Sequence, residues 1–364
     1  MVQLKYNRGA MSILGDKMEQ TAGDGALQVQ GQIVNVGMSY SDIKDLCTTL
    51  VQKELENYEQ KASATAMQRF DDIMDKLLYA LSRLDEQYRM KFQEPAIQFA
   101  AHETFKEYIR SGKEELSDDL IDLMIERLIV EEHTTKQALI DEARQILPKL
   151  STSSVAILAL LAVCKLLFIR RREGFIDVFR KLTPLAKEVG TPAGMDIAYL
   201  EQVRCGQSLS FVKSFSPFIN AMMKTYSSFF THSIPVDEFN KIMAEEGLNV
   251  GDPSKFGAIL SLFKTEGRDM TLDISMVSNE MFKVKNDELI ESVNKVVARL
   301  PKYTTDEARQ FFLNIDANWN NVIELFNRSD IQSFMVSPVG NYIGTRKLSK
   351  LLGEDVSINL FYHN

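Results

Sequence analysis

Glu131-Glu132-His133 is the densest polar cluster around a histidine in this chain of 364 residues. A histidine flanked by carboxylates can exchange a proton near neutral pH, which is the chemistry of a general acid or base. The triplet falls between two helical patterns, where charged residues ordinarily face water. Asp118, Asp119 and Asp122 lie within one helical turn and offer oxygen ligands to a hard cation. Aspartates near a helix start are also expected from the helix dipole alone, and that simpler account is preferred. The four histidines (His102, His133, His232 and His363) form no HExxH or HxH arrangement. The chain has no phosphate-binding GxxxxGK[ST] loop, no GxGxxG fingerprint and no GxSxG elbow. The sequence therefore assigns no catalytic residue, metal ligand or cofactor, and it leans away from an enzyme.

One basic concentration stands out: Arg170, Arg171 and Arg172, with Lys165, Arg180 and Lys181. It follows the most apolar helical pattern, where cations suit the negative end of the helix dipole, and capping is the preferred account. The alternative is a contact with an anion, a nucleotide or nucleic acid. The formal charge is −8. Residues 39–150 hold 15 Lys/Arg against 23 Asp/Glu, while the rest of the chain carries 27 of each. An acidic first half repels a phosphate backbone, so nucleic acid is not the favoured partner. Phe211, Phe215, Phe218, Tyr226, Phe229 and Phe230, with Met222 and Met223, follow a helical spacing that predicts core, with a partner groove as the alternative.

The elements that must position these residues begin with a short ribbon. Residues 23–37 read GDGALQVQGQIVNVG, a turn dipeptide followed by strand-like alternation. Leu27, Val29 and Ile33 fall on one face, and Val34 and Val36 join the glutamines on the other. A ribbon this short needs partners for its backbone groups, from the body of the protein or from other copies. Ser39 or Ser41 then caps a long helical pattern with Ile43, Leu46, Cys47, Leu50, Phe70, Ile73, Leu77, Leu81 and Leu84 on one stripe. That stripe predicts a helix of about 45 residues, ~65 Å long. The apolar residues of the ribbon and of the helix start (Leu27, Val29, Ile33, Val34, Val36, Ile43, Leu46 and Leu50) are the expected oligomer interface. Each large aliphatic side chain buried there contributes about 1.5–3 kcal/mol.

Further helices are expected near 95–109, from Ser117, from Thr134/Thr135 to before Pro148, and near 212–231, 235–246, 252–264, 285–299, 304–314, 317–327 and 338–352. Leu272–Ser278 reads as strand or loop, and Val356–Tyr362 as a terminal strand able to pair with the ribbon. Val155–Ile169 is nearly all apolar but falls short of the roughly 20 residues that span a bilayer, so it reads as a central core helix. Its release into a membrane is the alternative. Cys47, Cys164 and Cys205 lie far apart without a CxxC pair, which suits a reducing compartment. No secretory signal is visible, and a cytoplasmic location is expected. The fold class is mainly α: a multi-helix bundle with a long N-terminal helix and a short N-terminal β ribbon, paired with a C-terminal strand. The expected domains are 1–38 (ribbon), 39–190 (acidic helical) and 191–364 (C-terminal helical with the terminal strand).

Several motifs occur in a specific order: a GDxxxQxQG ribbon, GMSYSDIKDL, FQEPAIQFAAHETFKEYIRSGKEELSDDLIDLMIERL, AYLEQVRCG, TYSSFF and a closing SPVGNYIG. In this order the chain resembles a bacterial family known mainly by locus-tag names, from about Gly23 to Tyr362. The resemblance implies, by association, a role in defence against phage or in mobile-element biology. It supplies no catalytic residues; Asp24 and Tyr40 match its ribbon and helix entry and are read as structural. The resulting expectation is a self-assembling scaffold, sensor or effector subunit. Its partners would be itself and a further defence-system protein or a phage component. A nucleic-acid- or nucleotide-responsive module and a membrane-damaging effector are the alternatives.

Overall fold

A computed structural model describes residues 40–55, 60–166, 172–190, 194–246, 263–266, 269–272, 291, 295–353 and 356. The fold is mainly α, as expected. In chain order the helices are α1 (Tyr40–Leu55), α2 (Gln60–Ser82), α3 (Glu86–Met90), α4 (Pro95–Ser111), α5 (Glu114–Ile129), α6 (Thr135–Ile146), α7 (Thr152–Leu166), α8 (Arg172–Lys181), α9 (Thr183–Val189) and α10 (Gly194–Gln202). Strand β1 (Gly206–Ser208), helix α11 (Phe218–Thr225), strand β2 (Ile234–Pro235), helix α12 (Val236–Glu245) and strands β3 (Phe263–Glu266) and β4 (Asp269–Leu272) follow. The chain then adds α13 (Thr305–Ile315), α14 (Trp319–Asn327), α15 (Ser329–Ser333), β5 (Phe334–Val336) and α16 (Pro338–Leu352). Among the described residues β1 pairs antiparallel with β5, and β2, β4 and β3 form a small antiparallel sheet.

The chain divides into two compact units between Lys106 and Glu107, inside α4. In the first unit, α1 packs on α2. Ile43 and Cys47 of α1 and Phe70, Ile73, Leu77 and Leu81 of α2 are buried, as members of the stripe expected from the sequence, and Val51, outside that stripe, is buried with them. Phe70 meets Phe105 edge to face at 5.7 Å. The expected single helix is seen as α1 and α2, with residues 56–59 outside the described residues. It also ends earlier than the pattern suggested. The backbone tightens at Ser82, where Arg83 N–H bonds to Ala80 O, and Asp85 begins the short α3.

In the second unit α7 is the central helix. Ala156 to Val163 are all at most 1% exposed, as its apolar composition requires. It packs against α16 and α9, and helices from either side of Gly190 share this unit. Two glycines of α16 permit the close approach. A Cβ at Gly344 would overlap the Leu158 carbonyl of α7, and one at Gly340 would overlap the Cys205 carbonyl.

The expected helix 212–231 is corrected to a shorter one. Residues 212–217 are non-helical, and α11 begins after Pro217. Proline lacks an N–H and disfavours the helical conformation of the residue before it. Ser214 and Phe215 instead donate their N–H groups to Gln332 O. The end of the expected helix 252–264 is likewise corrected, because Phe263 opens strand β3. The ribbon, with Leu27, Val29, Ile33, Val34 and Val36, lies outside the described residues. So does the terminal strand beyond Val356.

Candidate functional site

Spacing alone sets up a polar seam in the second unit. Asp119, Asp122 and Glu126 recur at three- and four-residue steps on α5, and Tyr342, Arg346 and Lys350 recur at four-residue steps on α16. Each set therefore lines one face of its helix, and the two faces meet. Glu126 accepts a hydrogen bond from the Tyr342 hydroxyl and pairs with Arg346 at 2.6 Å. Lys350 reaches Asp119 at 2.5 Å and Asp122 at 2.7 Å. On the next face of α16, Lys347 pairs with Glu188 at 3.1 Å.

The electrostatics of this seam favour fixed charges over proton transfer. Burial, then the Glu126 charge, pushes the Tyr342 hydroxyl well above its ordinary range, so it keeps its proton. Burial works most strongly against the charge on Arg346, but Glu126, Tyr342 and Asp122 together outweigh it and raise the guanidinium pKa. Lys350 is raised in the same way, with burial opposing and Asp119 and Asp122 together prevailing. A cavity of about 10 Å³ beside the seam is lined by Asp119, Leu123, Leu147, Val155, Ile343, Arg346 and Lys347. It has room for about one water molecule. The seam is a latch that holds the C-terminal helix. Of the Asp118, Asp119 and Asp122 group, which could offer ligands to a cation, Asp119 and Asp122 are held here by Lys350. Among the described residues no cluster of His, Cys, Asp or Glu is placed to hold a metal ion.

The histidine cluster has a similar fate. Glu132 turns inward and grips the Arg127 guanidinium at 2.6 and 3.1 Å, and Asp141 of α6 binds the same group at 3.2 Å. Arg127 is 2% exposed. Burial opposes its charge, but the Glu132 hydrogen bond and the two carboxylates raise its pKa. His133 takes a left-handed backbone conformation (φ 61°), and its N–H donates to Gln137 Oε1 at 2.5 Å. Thr134 then caps α6 through Gln137 N–H. Glu131 and His133 are exposed, as the sequence led one to expect, but half-buried Glu132 staples the turn between α5 and α6. His232 lies 3.4 Å from Glu307, which is also bound by Thr304 in the capping box of α13.

The basic group is only partly described. Arg170 and Arg171 lie outside the described residues, as does the side chain of Arg172, which opens α8. Lys165 holds its ammonium 4.8 Å from the Phe215 ring, and burial lowers its pKa although the residue as a whole stays exposed. Arg180 pairs with Asp177 of its own helix at 3.2 Å. Lys181 donates to Leu352 O at the end of α16 at 3.4 Å. These three described cations each have a local partner.

The aromatic stripe is core. Phe175 gathers Phe179 at 4.5 Å, Tyr226 at 4.8 Å and Phe229 at 5.4 Å, and Phe218 stacks on Trp319 at 5.7 Å. Phe211 is the exception, at 88% exposed. Of the expected interface residues, Ile43 is fully buried in its own chain and Leu46 is half-buried, while the side chain of Leu50 lies outside the described residues.

The motifs AYLEQVRCG and SPVGNYIG, far apart in the sequence, are joined by the fold. Ser337 donates its N–H to Cys205 O at 2.9 Å and its hydroxyl to Arg204 O at 2.8 Å, and it also caps α16. Gly206 pairs with Val336 in the ribbon of β1 and β5. Tyr199 donates to Lys149 O at 2.9 Å.

No helix among the described residues is long and apolar enough to cross a membrane. A family model with a locus-tag-style "-like" name, for an uncharacterised family, matches residues 37–362. No curated protein and no solved structure matches the chain.

Proposed function

The chain belongs to this locus-tag family, and we propose that it is a self-assembling interaction subunit of the bacterial cytoplasm. It would serve as a scaffold, sensor or effector through protein–protein contact. The observation that carries this reading is the exposure of large apolar side chains on well-packed elements. Phe211 is 88% exposed, Met195 78%, Tyr79 68% and Phe99 64%. Outward-facing aromatic and methionine side chains on a rigid base suit recognition of another protein surface. The polar clusters of the second unit, by contrast, are spent on holding α5, α6 and α16 together.

In this reading the ribbon residues Leu27, Val29, Ile33, Val34 and Val36 bring copies together. Helix α1, anchored by buried Ile43, gives the ribbon a fixed base. The resemblance to families found beside bacterial conflict systems supplies the setting, defence against phage. A second defence-system protein or a phage component would be the further partner.

Light scattering of the intact chain and of residues 39–364 tests the assembly. A discrete oligomer that falls to monomer on truncation supports it, whereas equal masses for the two chains overturn the role given to the ribbon. Plating phage on cells that carry the gene in its native neighbourhood tests the setting. Unchanged plaque counts across a broad phage panel would contradict it.

A further inference from the structure

Residues 204–213 read RCGQSLSFVK, ten residues without a carboxylate. Gln207, Ser208, Ser210 and Phe211 are exposed, as are the two cations, Arg204 and Lys213. Neither cation has an ion pair among the described residues. The strip is held rigidly: Gln207 lies opposite Met335 in the β1–β5 ribbon, and Leu209 N–H bonds to Ser333 O at 3.0 Å. Ser214 N–H returns to Gln332 O at 2.7 Å, so the loop bearing Phe211 is pinned at both ends. Glu201 accepts the Ser208 N–H at 2.5 Å, which occupies an outward backbone donor of β1. What the strip presents to a partner is therefore side chains: a phenyl ring between two positive charges.

The chemistry that fits such a strip is an acidic surface with an aromatic side chain. Helix α2 offers one. Asp72, Asp75 and Tyr79 fall on one face at steps of three and four, with Asp71 beside them, and all four are exposed. Arg83 already lies 5.9 Å from the Tyr79 ring centroid, so that ring accepts a cation, and Lys76 borders the acidic face. We propose that the Arg204–Lys213 strip docks, with Phe211 as its anchor, on the Asp71–Tyr79 face of α2 in a second copy of this chain. The argument is charge complementarity joined to exposed aromatic area on both surfaces. Two different patches meet, so the contact closes as a two-fold dimer when both strips engage one partner, and otherwise builds a ring or an open filament. The inference rests on the self-assembly reading and adds a contact that does not involve the ribbon.

The test is sedimentation of the intact protein against four variants: Phe211→Asp, Arg204→Glu with Lys213→Glu, Asp72→Lys with Asp75→Lys, and the combination of both charge reversals. All substituted side chains are exposed, the fluorescence of buried Trp319 reports that the second unit is folded, and the helical circular dichroism reports on the first. The first three variants are expected to weaken self-association at least tenfold, and the combined charge swap to restore it. Association that is unchanged in Phe211→Asp and Arg204→Glu/Lys213→Glu overturns the strip while leaving assembly through the ribbon standing. Weakening without restoration in the swap overturns α2 as the docking face. An intact chain that is monomeric at every concentration overturns both the strip and the assembly reading.

Discussion

Gly344 of α16 lies against the backbone of Leu158 in α7, so close that a methyl group at position 344 would overlap the Leu158 carbonyl. This contact sets the spacing of the two helices that pack most extensively in the second unit. Adding even one carbon forces a backbone shift, at a cost of about 1–3 kcal/mol. Gly344→Ala should therefore lower the melting temperature by several degrees, followed through Trp319, the single tryptophan, which is fully buried. An unchanged melting curve would show that the helices can separate without cost.

The latch between α5 and α16 predicts energetic coupling. Tyr342→Phe and Glu126→Ala each remove the shared hydrogen bond, so their effects on stability should be less than additive. A double-mutant cycle by urea denaturation should return a coupling of about 0.5–3 kcal/mol. Strict additivity would mean that the two groups do not act together.

How far the fold could be read in advance depended on how local the cause was. Helix α16 was legible from end to end, because Ser337 caps it, Pro338 suits its first position and Gly353 ends it with a left-handed φ of 72°. The start of α13 was legible for the same reason, through the Thr304–Glu307 capping box. The break at Pro217 was readable from the proline alone but was overridden by the aromatic spacing around it. The latch was not legible, since Glu126 and Tyr342 are 216 residues apart and nothing local pairs them. Phe211 looked like part of the core stripe, and only the tie of Ser214 to Gln332 shows why it stays outside.

Acid should weaken the junction of α14 and α15. The hydrogen bond from Arg328, outweighing burial, holds the Asp330 carboxyl below its usual range. A depressed folded-state pKa adds stability that is present above the unfolded value, near 3.9, and is lost as pH falls through the lower folded value. Stability measured from pH 6 down to pH 2 should fall less steeply in Asp330→Asn than in the parent. Parallel curves would remove this pair from the acid response.

The thiols should be silent in the folded protein. Burial pushes Cys47, Cys164 and Cys205 each up to about 12. At pH 8 only about one in ten thousand of each would be thiolate. A chromogenic disulfide reagent should label none of them rapidly in native buffer and all three in denaturant. Fast native labelling of Cys47 or Cys205 would contradict the burial of these side chains, whereas Cys164 is half-buried.

The central claim is assembly, and the native mass of the intact chain across a hundredfold range of concentration tests it most directly. The account predicts a mass that reaches a multiple of 41.4 kDa and falls toward that value on dilution. A constant 41.4 kDa at every concentration would contradict it.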